Sequence, residues 1–113
     1  MPIIPEKTSQ EMISQVAAAA VLSVKEVGSL VNGPTFKPAK SFELYRGIVV
    51  VPQKDGSYQF DIYLNIRYGE KIPQTAFSVQ EAVKNAEDEL GITAAGININ
   101  IQGVDFPEEE KAE

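Results

Sequence analysis

The side chains of this 113-residue chain able to act as nucleophile or base are Ser, Thr, Tyr, Lys and the carboxylates, because it contains no Cys and no His. That inventory removes thiolate, Cys-His and Ser-His-Asp catalysis, haem ligation through those residues, and zinc fingers or ribbons. A catalytic Ser would need a base drawn from Lys or an acid. The sequence offers neither a G-x-S-x-G elbow nor an S-x-x-K motif. Asp61 and Glu70 are the carboxylates that a general acid and base would use, but their setting reads as two solvated acids. A hydrolase built on Lys and acid residues is therefore the weakest of the functional readings. Glu87, Asp88 and Glu89 end a stretch with helical periodicity, where the backbone dipole disfavours each exposed acid by about 0.3–1 kcal/mol. A basic partner or a divalent cation would relieve that cost. Without a D-x-D-x-D-G loop, plain solvation is the expected state. Gly28 to Gly33 contains neither G-K-[ST] nor G-x-G-x-x-G, so no phosphate cradle or nucleotide cofactor is expected.

Charge narrows the partners further. Ten Lys+Arg against 16 Asp+Glu give −6, and the basic residues are scattered, with no G-x-x-G loop between helices. Nucleic acid is not an expected partner. The longest apolar run, Val16 to Leu22, falls well short of the roughly 20 residues needed to span a bilayer, and the N-terminus lacks a basic segment followed by an apolar one. Direct membrane insertion is not expected, and a cytoplasmic location is. The absence of Cys suits a reducing compartment without requiring one. No metal or other cofactor is expected.

The elements that would position these groups follow from periodicity. Thr8 and Glu11 have the spacing of a capping box, and Met12, Ile13, Val16, Ala17, Ala20, Val24 and Val27 recur at three and four, predicting a helix over 9–26 that stops at Gly28. Its run Ala17 to Ala20 permits close approach, either of the protein's own sheet or of another subunit. Residues 28–46 carry Gly33, Pro34 and Pro38 among apolar residues and predict an irregular, partly tied loop. Residues 47–52 predict a strand, Lys54-Asp55-Gly56 a hairpin, and 58–68 a strand with alternating apolar and polar rows. Ile72, Ala76, Val79, Val83, Ala86 and Leu90 mark a helix over 73–90, with Pro73 in its first turn and Gly91 as its stop. Ile97, Ile99 and Ile101 alternate with Asn98, Asn100 and Gln102 in a third strand.

These elements predict an α+β domain over 9–106 in two layers, in the order α-β-β-α-β. Both helices should lie on one face of a sheet of about three strands. Residues 1–8 are an N-terminal extension and 107–113 an acidic tail. The uncovered sheet face would present Tyr63, Arg67, Tyr68, Val49 and Val51 as a candidate interaction surface, unless Phe36, Phe42 and Leu44 of the 28–46 segment fold over it. Unguarded strand edges are a third place for a partner.

Tyr68-Gly69-Glu70-Lys71-Ile72-Pro73, the helix carrying Val79-Gln80-Glu81-Ala82-Val83, and the closing Ile97 to Val104 strand together resemble the alkaline shock protein family. These are the Gls-type envelope stress response proteins of Gram-positive bacteria. The resemblance spans about residues 9–106; the first helix and the 28–46 loop match in character alone. It implies a non-enzymatic cytoplasmic protein of cell-envelope homeostasis that acts by protein-protein contact. In some members it implies a homo-oligomer, or membrane association through a membrane-anchored adaptor. Other members imply an alternative role as regulatory partner of a lipid-metabolism enzyme of the fatty-acid kinase or carboxylase type. The family carries no established catalytic residues.

Overall fold

The computed structural model describes residues 5–107, with side chains from Gln10 onward. The elements are α1 (Pro5–Ser23), β1 (Val27–Leu30), β2 (Phe42–Tyr45), β3 (Ile48–Pro52), β4 (Tyr58–Arg67), α2 (Ile72–Glu89) and β5 (Ala94–Asp105). The fold is α+β, but the sheet has five strands rather than three, and the order is α-β-β-β-β-α-β. The two additional strands come from the segment expected to be a loop. Both are four residues long and interrupted by register shifts, too short to show two clear cycles of alternation.

The longer of the two central strands, β4, organises the sheet. Along one side it pairs in parallel with β5, from Tyr58 opposite Ala94 to Arg67 opposite Asp105. Along the other it pairs antiparallel with β3 over Tyr58–Ile62 and with β1 over Leu64–Ile66. β2 then pairs with the outer side of β3. Between the β3 and β1 pairings, the Tyr63 N–H donates to the Gly47 carbonyl at 2.9 Å and the Tyr63 carbonyl accepts from the Val31 N–H at 3.0 Å. Gly47, at φ +80°, closes the turn joining β2 to β3. A Cβ there would meet the Val31 carbonyl oxygen at 2.5 Å and the Tyr63 carbonyl oxygen at 2.6 Å, so close backbone approach and left-handed φ both select glycine.

The apolar row of β4, Phe60, Ile62, Leu64 and Ile66, is buried with Ile48 and Val50 of β3 and Val27 of β1. Ile13, Ala17, Ala18, Ala20 and Val21 of α1, with Val79 and Val83 of α2, complete this core. α1 packs on β1, β2 and β3, and α2 on β5. The small residues of α1 thus serve packing within the chain, against the sheet and against α2.

The first helix departs from its expected bounds at both ends. It begins at Pro5, so Thr8 is an internal helical residue and residues 5–8 are not an extension; residues 1–4 lie outside the described residues, as do 108–113 of the acidic tail. It ends at Ser23, whose hydroxyl donates to the Ala20 carbonyl at 2.7 Å, four residues before Val27 opens β1. Gly28 is part of that strand, against which the Asp105 side chain packs. Met12 is 37% exposed, whereas Ser14 is fully buried in its place.

The second helix follows its signals closely. Pro73 is in the first turn, and the Ile92 N–H bonds the Glu87 carbonyl while the Gly91 N–H bonds that of Asp88. With Gly91 at φ +87° this is a Schellman stop. The hairpin at 53–57 is closed by the Asp55 carboxylate, which accepts from the Ser57 hydroxyl at 2.6 Å and its N–H at 3.0 Å. These two bonds hold the Asp55 carboxyl below its ordinary range.

Candidate functional site

The face of the sheet away from the helices carries Gln59, Asp61, Tyr63, Asn65 and Arg67 of β4, Val49 and Val51 of β3, and Asn98 and Asn100 of β5. It is polar and cross-linked by side chains. Asn98 donates to the Asp61 carboxylate at 2.9 Å. Further along, the Asp105 carboxylate accepts from Ser29 at 2.6 Å and from Asn65 at 2.9 Å, tying β1, β4 and β5 together. Asp61 is thus bound to Asn98, and β4 alone carries the chain about 20 Å from it before the turn holding Glu70. No acid pair forms there.

The five residues expected to form one surface divide among three places. Tyr63 and Val49 meet under the 31–36 segment: a Cβ on Gly33 would stand 3.3 Å from the Tyr63 ring and 3.4 Å from Val49. Val49 is only 2% exposed and cannot form part of a contact surface. Burial pushes the Tyr63 phenol above its ordinary range, and the nearby Asp61 and Glu43 carboxylates add to this. Val51 is half-buried toward the hairpin end.

The cover over Tyr63 and Val49 is not made by the apolar residues the sequence suggested. Phe36 is 91% exposed, Leu44 is 51% exposed, and Phe42 packs into the core on the opposite face. Instead, Lys37 holds the segment down, donating to the Pro34 carbonyl at 2.8 Å and pairing with Glu43 at 3.1 Å. Burial opposes the charge on Glu43, but the Gly47 N–H bond and Lys37 outweigh it and keep the carboxyl below its ordinary range.

Arg67 and Tyr68 lie at the far end of β4, where β5 also ends. Because the parallel register brings Asp105 beside Arg67, Phe106 follows beside Tyr68. The Tyr68 N–H donates to the Asp105 carbonyl at 2.9 Å, and the two rings sit 5.1 Å apart at 36°. Tyr68 is 58% and Phe106 56% exposed. Together with Gly28, Glu70, Asp105 and Pro107 they border an open groove of about 380 Å³. The Arg67 Nε donates weakly to the Val27 carbonyl at 3.4 Å, and the residue as a whole is exposed. An aromatic pair beside a guanidinium and a carboxylate is suited to binding. Phe106 had no local signal in the sequence; only the β4–β5 register reveals its place.

A different surprise is at the end of α2. Glu87, grouped in the sequence with solvated acids, is completely buried, and among the described residues neither carboxylate oxygen has a hydrogen-bond partner. Burial raises its pKa from 4.5 to about 8. The buried hydroxyls of Ser14 and Thr75 likewise have no partner among the described residues. Asp88, by contrast, is exposed and pairs with Lys84 at 3.0 Å. Among the described residues, no three acids converge in a way that would hold a metal ion, and no helix is long and apolar enough to cross a membrane.

The model of the alkaline shock protein 23 family, described as having a cell envelope-related function, matches residues 5–106. The chain belongs to this family. Similar family-sized proteins include the uncharacterized protein Spy1535 of Streptococcus pyogenes, 27% identical over 97 residues, which are 85% of this chain and 75% of that protein. The uncharacterized protein YloU of Bacillus subtilis is 28% identical over 102 residues, 85% of this chain and 84% of that protein. Spy1614 of S. pyogenes, also uncharacterized, is 38% identical over 63 residues, covering 55% of this chain and 52% of that protein. No solved structure matches the chain significantly. The family match reaches Phe106, so the aromatic pair of the groove lies within the matched residues.

Proposed function

We propose that this protein serves cell-envelope homeostasis as a binding module without turnover, and that the Tyr68–Phe106 groove is where a protein partner docks. The observation that carries this reading is the pair of aromatic rings, each more than half exposed, beside the Arg67 guanidinium. Rings left this open contribute little to the fold and offer large apolar area to a partner, while the guanidinium supplies directional donors. The family's envelope-related description supports the cellular setting. A membrane-anchored protein is the partner class this reading favours, since the chain would then reach the envelope by contact alone.

Combined replacement of Tyr68 and Phe106 by Ala tests the proposal in cells lacking the native copy. The expected result is envelope-stress sensitivity equal to that of the deletion, with normal abundance and an unchanged far-ultraviolet circular dichroism spectrum. Full complementation by the folded variant refutes the groove as the docking site.

A further inference from the structure

Among the described residues, the twelve-residue strand β5 has a strand partner on one side only, and its geometry defines which backbone groups its outer edge makes available. Tyr63 directs its N–H and C=O toward β3 and β1, so the odd-numbered residues of β4 face that way and the even-numbered ones face β5. The bond from the Tyr58 N–H to the Thr93 carbonyl agrees. Phe60, Ile62 and Leu64 lie opposite Ile97, Ile99 and Ile101. In a parallel ladder their bonds go to the flanking residues Gly96, Asn98, Asn100 and Gln102. The N–H and C=O of Ile97, Ile99 and Ile101 therefore point outward. A bond from the Gln80 side-chain amide of α2 to the Ile97 carbonyl, at 2.9 Å, occupies that outer side.

Three features make this edge self-complementary. Register shifts fall at Tyr58/Gln59 and at Leu64/Asn65, so the regular stretch of β5 is 96–101. Within it, Ile97-Asn98-Ile99-Asn100-Ile101 reads the same in both directions about Ile99. No charged residue occurs from Ala94 to Val104, although the whole chain carries −6, so the strand itself carries none of the usual charged guards of an open edge, and the charges nearest its start are Glu81 and Lys84 of α2. The three Ile side chains are only half-buried under α2, and Phe77, 61% exposed, lies one turn before Gln80 on the same side of that helix.

We propose that β5 pairs antiparallel with β5 of a second copy, Ile99 opposite Ile99, making one continuous sheet across a two-fold axis. In this register Ile97 faces Ile101 of the second copy, and the outward groups form about six backbone hydrogen bonds. Asn98 faces Asn100 on the polar surface, while the Ile row extends both cores beneath the two α2 helices. A foreign strand would need to match the same period without such symmetry, whereas a second copy does so by sequence. The Gln80 amide competes for the Ile97 carbonyl and acts as a removable guard. The inference rests on the reading of the chain as a contact module but uses the strand edge instead of the groove, so the two are separable.

Paired charge variants, followed by sedimentation velocity across a wide concentration range, read the register directly. Asn98→Lys with Asn100→Lys sets lysine opposite lysine twice across the seam and should weaken dimerisation on the order of tenfold. Asn98→Lys with Asn100→Glu sets opposite charges together in this register alone and should retain or tighten it. Gln80→Ala should favour the dimer without altering β5. Equal association of the two charge variants overturns the register, and a wild-type chain that stays monomeric, with Gln80→Ala doing the same, overturns the edge. Association lost in the Tyr68/Phe106 variant but intact in the double-Lys variant transfers the self-contact to the groove, overturning this inference while sparing the proposed function.

Discussion

Replacing Glu87 by Gln should change how stability depends on pH, with a sign and window fixed by the structure. The carboxyl is fully buried, has no hydrogen-bond partner among the described residues, and burial raises its pKa from 4.5 to about 8. Between those values the folded chain keeps a proton that the unfolded chain has already released. Stability linked to Glu87 is therefore complete below about pH 4.5, falls as pH rises, and levels off above about pH 8 once both states are ionised. The slope is at most about 1.36 kcal/mol per pH unit, giving an upper bound of about 5 kcal/mol over the window. Partial opening of the helix end to water on ionisation reduces this to about 2–4 kcal/mol.

Urea denaturation monitored by circular dichroism at about pH 5, 7 and 9 measures the effect. Glu43 and Asp55, whose pKa values are lowered, lose their contribution only as pH falls below the carboxylate range, and Tyr63 acts above pH 10. None of them obscures the window. The Gln variant should be nearly flat across it and more stable than wild type at the alkaline end. A Leu variant should exceed both at every pH, because it removes the unsatisfied group from an apolar seam. If wild type and the Gln variant fall in parallel from pH 5 to 9, Glu87 is not buried in the way described and the reasoning fails.

Two further substitutions test the joints of the sheet. Gly47→Ala drives a Cβ into the Val31 and Tyr63 carbonyl oxygens at φ +80°, so thermal or urea unfolding should show a loss of about 3 kcal/mol or more. Gly56→Ala, at φ +91° with no atom within 4 Å of the added Cβ, should cost only about 1 kcal/mol. Asp105→Ala removes the acceptors of Ser29 and Asn65 and should destabilise by about 1–3 kcal/mol. In hydrogen exchange its first effect should be faster exchange in β1, the shortest strand it secures; unaltered β1 protection contradicts that role.

What the sequence revealed and what it concealed divide along a physical line. β4 and α2 were legible because each runs long enough for its period to repeat, and because Pro73, Gly91 and the Lys54-Asp55-Gly56 turn act within a few residues of where they stand. β1 and β2 were hidden because short strands owe their existence to partners far away: Val27 pairs with Ile66 and Phe42 with Val50. The same distinction governs the surface. Alternation placed Tyr63 on the polar row of β4, but it could not show Gly33 lying over Tyr63 and Val49, a cover that goes with Lys37 reaching Glu43. Nor could local pattern bring Phe106 to Tyr68, which needs the β4–β5 register, or show that Glu87 differs from Asp88, since only the packed helices distinguish their faces. Periodicity reports which face a side chain takes on its own element; what later covers that face is a long-range fact. The edge of β5 is the informative exception. Its alternation and its symmetry about Ile99 are both local, so the pairing proposed for its outer edge, unlike the cover over Tyr63, is argued from residues that stand next to one another in the chain.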